Sequence, residues 1–152
     1  MLPIVHATLQ SKWLWLLARL LLVVVFVSSG LAKLLAYEEG LAEMRQAGLE
    51  PDWFFNIAVA ITLLGGSALI LLDRHAWLGA GALAVFLLLT VPIVHRFWDL
   101  PEGRAQISLY FALEHLSVVG GLLTAAIAGH LRASLKTAAV QERPGRSAAP
   151  RG

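Results

Sequence analysis

The sequence contains no cysteine. That excludes disulfides, thiolate-held metal or iron–sulfur clusters and a cysteine nucleophile. Charge is scarce as well: 14% of the 152 residues are charged, against about 25% in an ordinary soluble domain. A disordered chain needs the reverse, low hydrophobicity and high charge. The net charge is only +2, and the basic residues form no single patch, so nucleic acid is not expected as a partner. No nucleotide-binding glycine loop, P-loop or metalloprotease motif is present, and no metal site is expected.

Apolar side chains are abundant. They make up 58% of the chain, and the mean hydropathy is +0.72. A single core in a 16.4 kDa protein cannot hide that much apolar surface from water. The composition indicates a membrane protein. About 20 apolar residues cross the hydrocarbon layer as a helix, and four stretches qualify: 13–35, 53–72, 76–94 and 107–128. Membrane strands would be shorter and would alternate. The expected fold is all-α, a four-helix transmembrane bundle with a short interfacial helix and a disordered tail. Residues 1–130 would form the transmembrane domain, and 131–152 a basic, disordered cytoplasmic tail. The first apolar run is longer than the core of a signal peptide, so it is expected to be a retained span.

With four spans both termini lie on one side. That side holds Lys12, Arg19, Arg74, Arg132, Lys136, Arg143, Arg146 and Arg151, against Lys33, Arg45, Arg96 and Arg104 on the other. The positive-inside rule then puts both termini in the cytoplasm. The acidic loop 36–52 faces outward. Leu41, Met44 and Ala47 recur there at helical spacing, and Gly48 offers a left-handed stop before Pro51, which predicts a short helix on the outer face. Pro92 is expected to bend the outer turn of the third span.

Small residues mark helix contacts in lipid. They place Gly65, Gly66, Gly120 and Gly121 at such contacts. Tyr110, Glu114, Ser117 and Gly121 share one face of the fourth span, so Glu114 is expected to point inward and Leu122 outward. Lys33, His95, Arg96, Glu114 and His115 belong to the outer half. An ionisable group at that depth is a functional candidate by default; the competing reading is a structural ion pair. For Glu114 the expected partner is Lys33, with Arg96 and His95 as alternatives. Arg19 is expected to snorkel to the cytoplasmic surface.

In sequence order these residues resemble the DoxX family of small four-span membrane proteins. The resemblance spans Arg19 to Gly129. It rests on Phe26-Val27-Ser28-Ser29-Gly30-Leu31-Ala32-Lys33-Leu34, on Met44 and Gly48, and on Leu64-Gly65-Gly66. Val94-His95-Arg96-Phe97-Trp98 and Leu113-Glu114-His115-Leu116 with Gly120-Gly121 complete it. Two positions depart from the family pattern. Thr62 stands where many members have a glutamate, and Glu114-His115 where many have Lys-Asn. The resemblance implies a bacterial inner-membrane protein similar to small subunits of thiosulfate:quinone oxidoreductases.

Three functions follow as candidates. The first is a quinone-side or non-catalytic subunit of a membrane redox complex. Phe97, Trp98, Tyr110 and His115 would frame the quinone head, and His95 or Lys33 would donate a hydrogen bond. Trp98 and Tyr110 would otherwise belong to the interfacial aromatic belt. The second is a proton-coupled transporter working as a homo-oligomer, a dimer, with Glu114 as the exchanged carboxylate. The third is an interaction or assembly protein with no chemistry of its own. His95 and His115 also raise the question of a haem.

Overall fold

The structure, a computed structural model, describes residues 2–141. Six α-helices follow one another among them: α1 (Pro3–Gln10), α2 (Lys12–Leu35), α3 (Tyr37–Gln46), α4 (Asp52–Leu71), α5 (Ala76–Ile93) and α6 (Glu102–Gln141). A 3-10 turn, Phe97–Asp99, separates the last two. No strand occurs among the described residues. Helices α2, α4, α5 and α6 are long and apolar enough to cross a membrane; each overlaps one of the four expected spans, and α6 runs well past its own at both ends.

The outward surface explains the composition. Val24, Ile61, Val85, Leu116 and Leu123 are all exposed, a surface that lipid tolerates and water does not. Exposed tryptophans mark two levels. Trp13 and Trp77 lie at the end that carries the termini, and Trp53 and Trp98 at the far end. Indole rings collect at membrane–water interfaces.

The spans are joined in a row. α2 packs on α4, α4 on α5, and α5 on α6, whereas α2 and α6 touch only lightly. The core comprises Val23 and Phe26 of α2, Leu63 and Ile70 of α4, Ala80, Leu83 and Leu87 of α5, and Leu122 of α6. α4 and α5 meet closely at two glycines: a Cβ at Gly79 would lie 2.5 Å from the Gly66 carbonyl. A Cβ at Gly66 would lie 2.8 Å from Leu83 Cγ and 3.2 Å from the Gly79 carbonyl, so only glycine lets these backbones meet.

Several expectations change here. Gly66 sits at a helix contact, and a Cβ on Gly121 would meet Leu22 Cδ1 at 3.3 Å, but Gly65 and Gly120 face open space. Leu122 is fully buried, not turned outward. α6 packs through Ser108, Ala112, His115, Val119 and Leu122, while Tyr110, Glu114 and Ser117 are exposed. The helix carries two stripes with small residues, and packing on α5 selects the one with Ala112 and Leu122.

The short outer helix is present as α3. Gly48 ends it at φ +73°, with Leu49 N–H donating to the Met44 carbonyl at 2.9 Å and Gly48 N–H to that of Arg45 at 3.0 Å, the Schellman pattern. α5 ends one residue after Pro92. Two features were not anticipated. Residues 3–10 form α1, set off by Ser11, whose hydroxyl accepts from Trp13 N–H. The helix expected to stop near residue 130 continues to Gln141. Its 40 residues span about 60 Å, roughly twice the hydrocarbon thickness. The rest of the expected tail, 142–152, lies outside the described residues.

Candidate functional site

Two cations on α2 are buried, and their surroundings differ. Near the termini end, Arg19 Nη1 donates to the carbonyls of Ile70 at 3.0 Å and Leu71 at 3.1 Å. It lies 3.6 Å from Asp73 Oδ1. Both carbonyls are in the last turn of α4: that of Ile70 also accepts from Asp73 N–H at 3.2 Å, whereas that of Leu71 has no donor of its own helix. Arg19 is therefore a tertiary cap on a neighbouring helix and does not reach for the surface. Its guanidinium also lies 5.3 Å from the Trp15 ring, which Arg132 approaches at 5.2 Å.

Near the far end, Lys33 forms an ion pair with Glu43 of α3. The expected partner was Glu114, on the other side of the row. Glu43 sits nearly two turns into α3, and the single-residue connection at Ala36 lets that helix fold back over the end of α2. Asn56 of α4 completes the joint. It is fully buried, and its Nδ2 donates to the Lys33 carbonyl at 3.0 Å. Gly40 of α3 lies against the same amide, leaving no room for a Cβ. Asn56 was missed on sequence, although a lone amide in an apolar span is itself a signal.

These contacts hold α3 across the far end and leave a cavity of about 680 Å³ beneath it. Its deep wall is apolar, with Phe26, Leu63 and Phe86. Its upper wall carries Lys33, Glu43, His95, Arg96, Glu114 and His115. Exposed Val25 and Ser29 of α2 and exposed Glu114 of α6 also line it. The cavity is thus open along the seam where α2 and α6 part, above the Gly121–Leu22 contact.

Five of the expected site residues, Lys33, His95, Arg96, Glu114 and His115, line this one cavity. Trp98 and Tyr110 do not. Both are exposed, and Tyr110 Oη accepts from Gln106 Nε2 at 2.9 Å on its own helix. Phe97 is also outside the lining; the aromatic walls are Phe26, Phe55 and Phe86. The aromatic frame expected around a ligand head is therefore replaced by a phenylalanine floor.

His95 and His115 are brought together. Their ring centroids are 4.9 Å apart, edge to face, and His95 stacks on Phe111 at 5.4 Å. Imidazoles in edge contact leave no slot for a porphyrin between them, so the pair does not fit a bis-histidine haem. It does fit a pair of polar groups, each able to donate or accept a hydrogen bond, set beside an apolar hollow. Among the described residues no three His, Asp or Glu side chains gather as metal ligands would.

Comparison with known proteins adds one finding. The DoxX family model matches residues 14–96, more than half of the chain. The match runs from α2 to the end of the third span and includes Lys33, His95 and Arg96, whereas α6 with Glu114 and His115 lies beyond it. No curated protein and no solved structure matches the chain. With four apolar spans and a family match over most of the first three, the chain belongs to the DoxX family of integral membrane proteins.

Proposed function

We propose that this protein is a quinone-side, non-catalytic subunit or accessory of a membrane redox complex, and that its far-end cavity holds the quinone. One observation carries this reading: a cavity of about 680 Å³ with a phenylalanine floor and with Lys33, His95 and His115 on its upper wall. That polarity suits an amphiphile with an oxygen-bearing ring and an apolar tail. The volume is in the usual range for a small-molecule site. Histidine suits both redox forms, since it donates to a quinone carbonyl and accepts from a quinol hydroxyl. The seam between α2 and α6 offers access from the bilayer. Arg96 and Glu114 would flank the head.

The test is purification in mild detergent followed by solvent extraction and identification of bound quinone and protein partners. Wild type should retain quinone, and the double substitution His95→Phe with His115→Phe should lose most of it while still eluting as a monodisperse species. Quinone-free wild-type protein would overturn the reading.

A proton-coupled transporter is the second reading. It is favoured by Glu114, which lines the cavity at its open side and belongs to no ion pair among the described residues. Substrate flux in proteoliposomes that collapses in Glu114→Gln would select it. In either case we place the protein in the bacterial inner membrane with both termini cytoplasmic. Alkaline phosphatase fused after Glu50 should then be active, and fused after Lys136 inactive.

A further inference from the structure

A second cavity, of about 410 Å³, lies at the termini end, between the start of α5 and the overhanging part of α6. The proposed quinone reading does not involve it. His75 and Trp77 come from the α4–α5 connection and the first turn of α5; His130, Lys136 and Thr137 come from α6. Asp73 also lines it, but Arg19 lies 3.6 Å from that carboxylate and offsets its charge.

The two ends of the bundle have opposite fixed charge. Lys12, Arg19, Arg74, Arg132 and Lys136 lie at the termini end with Asp73 as the single carboxylate among the described residues. The far end carries eight carboxylates, including Glu114, against Lys33, Arg45, Arg96 and Arg104. The cavity therefore sits in a positive field and offers one ammonium, two imidazoles and a hydroxyl. The helix that begins at its edge, α5, has no side-chain cap on its first turn. This donor set suits a phosphate group.

Position selects the source of the phosphate. Trp77, on the cavity's rim, is 65% exposed, and an exposed indole beside apolar spans sits at headgroup level. Below it the outward faces of α5 and α6 are apolar, with Leu78, Val85, Leu123 and Ile127 exposed, so acyl chains can follow them down. Basic pockets between spans on the cytoplasmic side take acidic headgroups. We infer that this cavity is a binding site for the headgroup phosphate of an anionic membrane phospholipid, held by Lys136, His130 and His75.

Full-length protein in nanodiscs of equal parts phosphatidylcholine and phosphatidylglycerol provides the test, with retained lipids counted by native mass spectrometry. Wild type should keep phosphatidylglycerol over phosphatidylcholine by about fivefold or more. Lys136→Glu and His130→Glu should bring the ratio near parity, and Lys136→Arg should keep it. Lys12→Glu, at the same end but outside the cavity, should leave it unchanged. Lys136 is exposed on the overhanging helix, so its variants test the site without disturbing the core. No preference in wild type, or an equal loss in Lys12→Glu, would overturn the site. Displacement of phosphatidylglycerol by millimolar inorganic phosphate would overturn the lipid source.

Discussion

Arg19 and Lys33 occupy the same helix, are buried to the same degree, and face the same neighbour, α4, yet the ends they serve are built differently. Arg19 spends its charge on backbone carbonyls of Ile70 and Leu71, which cannot move unless α4 unwinds. Close by, Gly66 and Gly79 bring α4 and α5 into backbone contact. Lys33 is paired with Glu43, whose side chain is 64% exposed and sits on a ten-residue helix. One end of the bundle is thus pinned by partners inside the core. The other is strapped by a peripheral helix over a cavity. Burying a cation costs desolvation, which is offset only where the geometry is good and its donors find hydrogen-bond partners.

This contrast sets an order of effects. Arg19→Leu should cost about 3 kcal/mol, since it leaves the Leu71 carbonyl without a donor, the Ile70 carbonyl with only Asp73 N–H, and Asp73 without its cation; the detergent unfolding midpoint reads it. A midpoint unchanged from wild type would erase the distinction between the ends. Gly66→Leu comes next, at about 1–3 kcal/mol from overpacking against Leu83 and Gly79, read by the same measurement. Glu43→Gln should cost about 1 kcal/mol, because the carboxylate is largely exposed and the amide oxygen can still accept from buried Lys33. It should still speed amide exchange across residues 37–46 while leaving α4 and α5 protected. Uniform exchange in both regions would show that α3 is not a separable strap. Gly65→Ala should change the midpoint by less than about 0.5 kcal/mol, since its Cβ would enter open space. A larger loss would place Gly65 at a contact.

The candidate site divides in the same way. Lys33, His95, Arg96, Glu114 and His115 were legible because ionisable groups inside apolar spans are few and their depth follows from position along each helix. Their grouping at one end needed only the antiparallel order of the spans. Asn56 carried the same kind of signal. Trp98 and Tyr110 were legible only as aromatics near an interface, and the structure leaves both on the outer surface.

Span number, the α3 stop at Gly48 and the charge bias between the two sides are set by residues within a few turns of one another. Hydropathy, backbone φ preference and rise per residue act locally, so the linear chain determines them by itself. The rotation of α6 about its axis is a different kind of quantity. Both of its stripes are apolar with small residues, and only contact with α5 separates Leu122, which is buried, from Glu114, which is exposed. The partner of Lys33 is likewise a matter of packing. Glu43 and Glu114 are both carboxylates near the right level, and tertiary structure chooses Glu43 because α3 folds back over α2 and locks on the Asn56–Gly40 contact, whereas α6 stands across the row with the cavity between. Charge and hydropathy are properties of the chain, but which face meets which neighbour is decided only when all four helices compete for the same space.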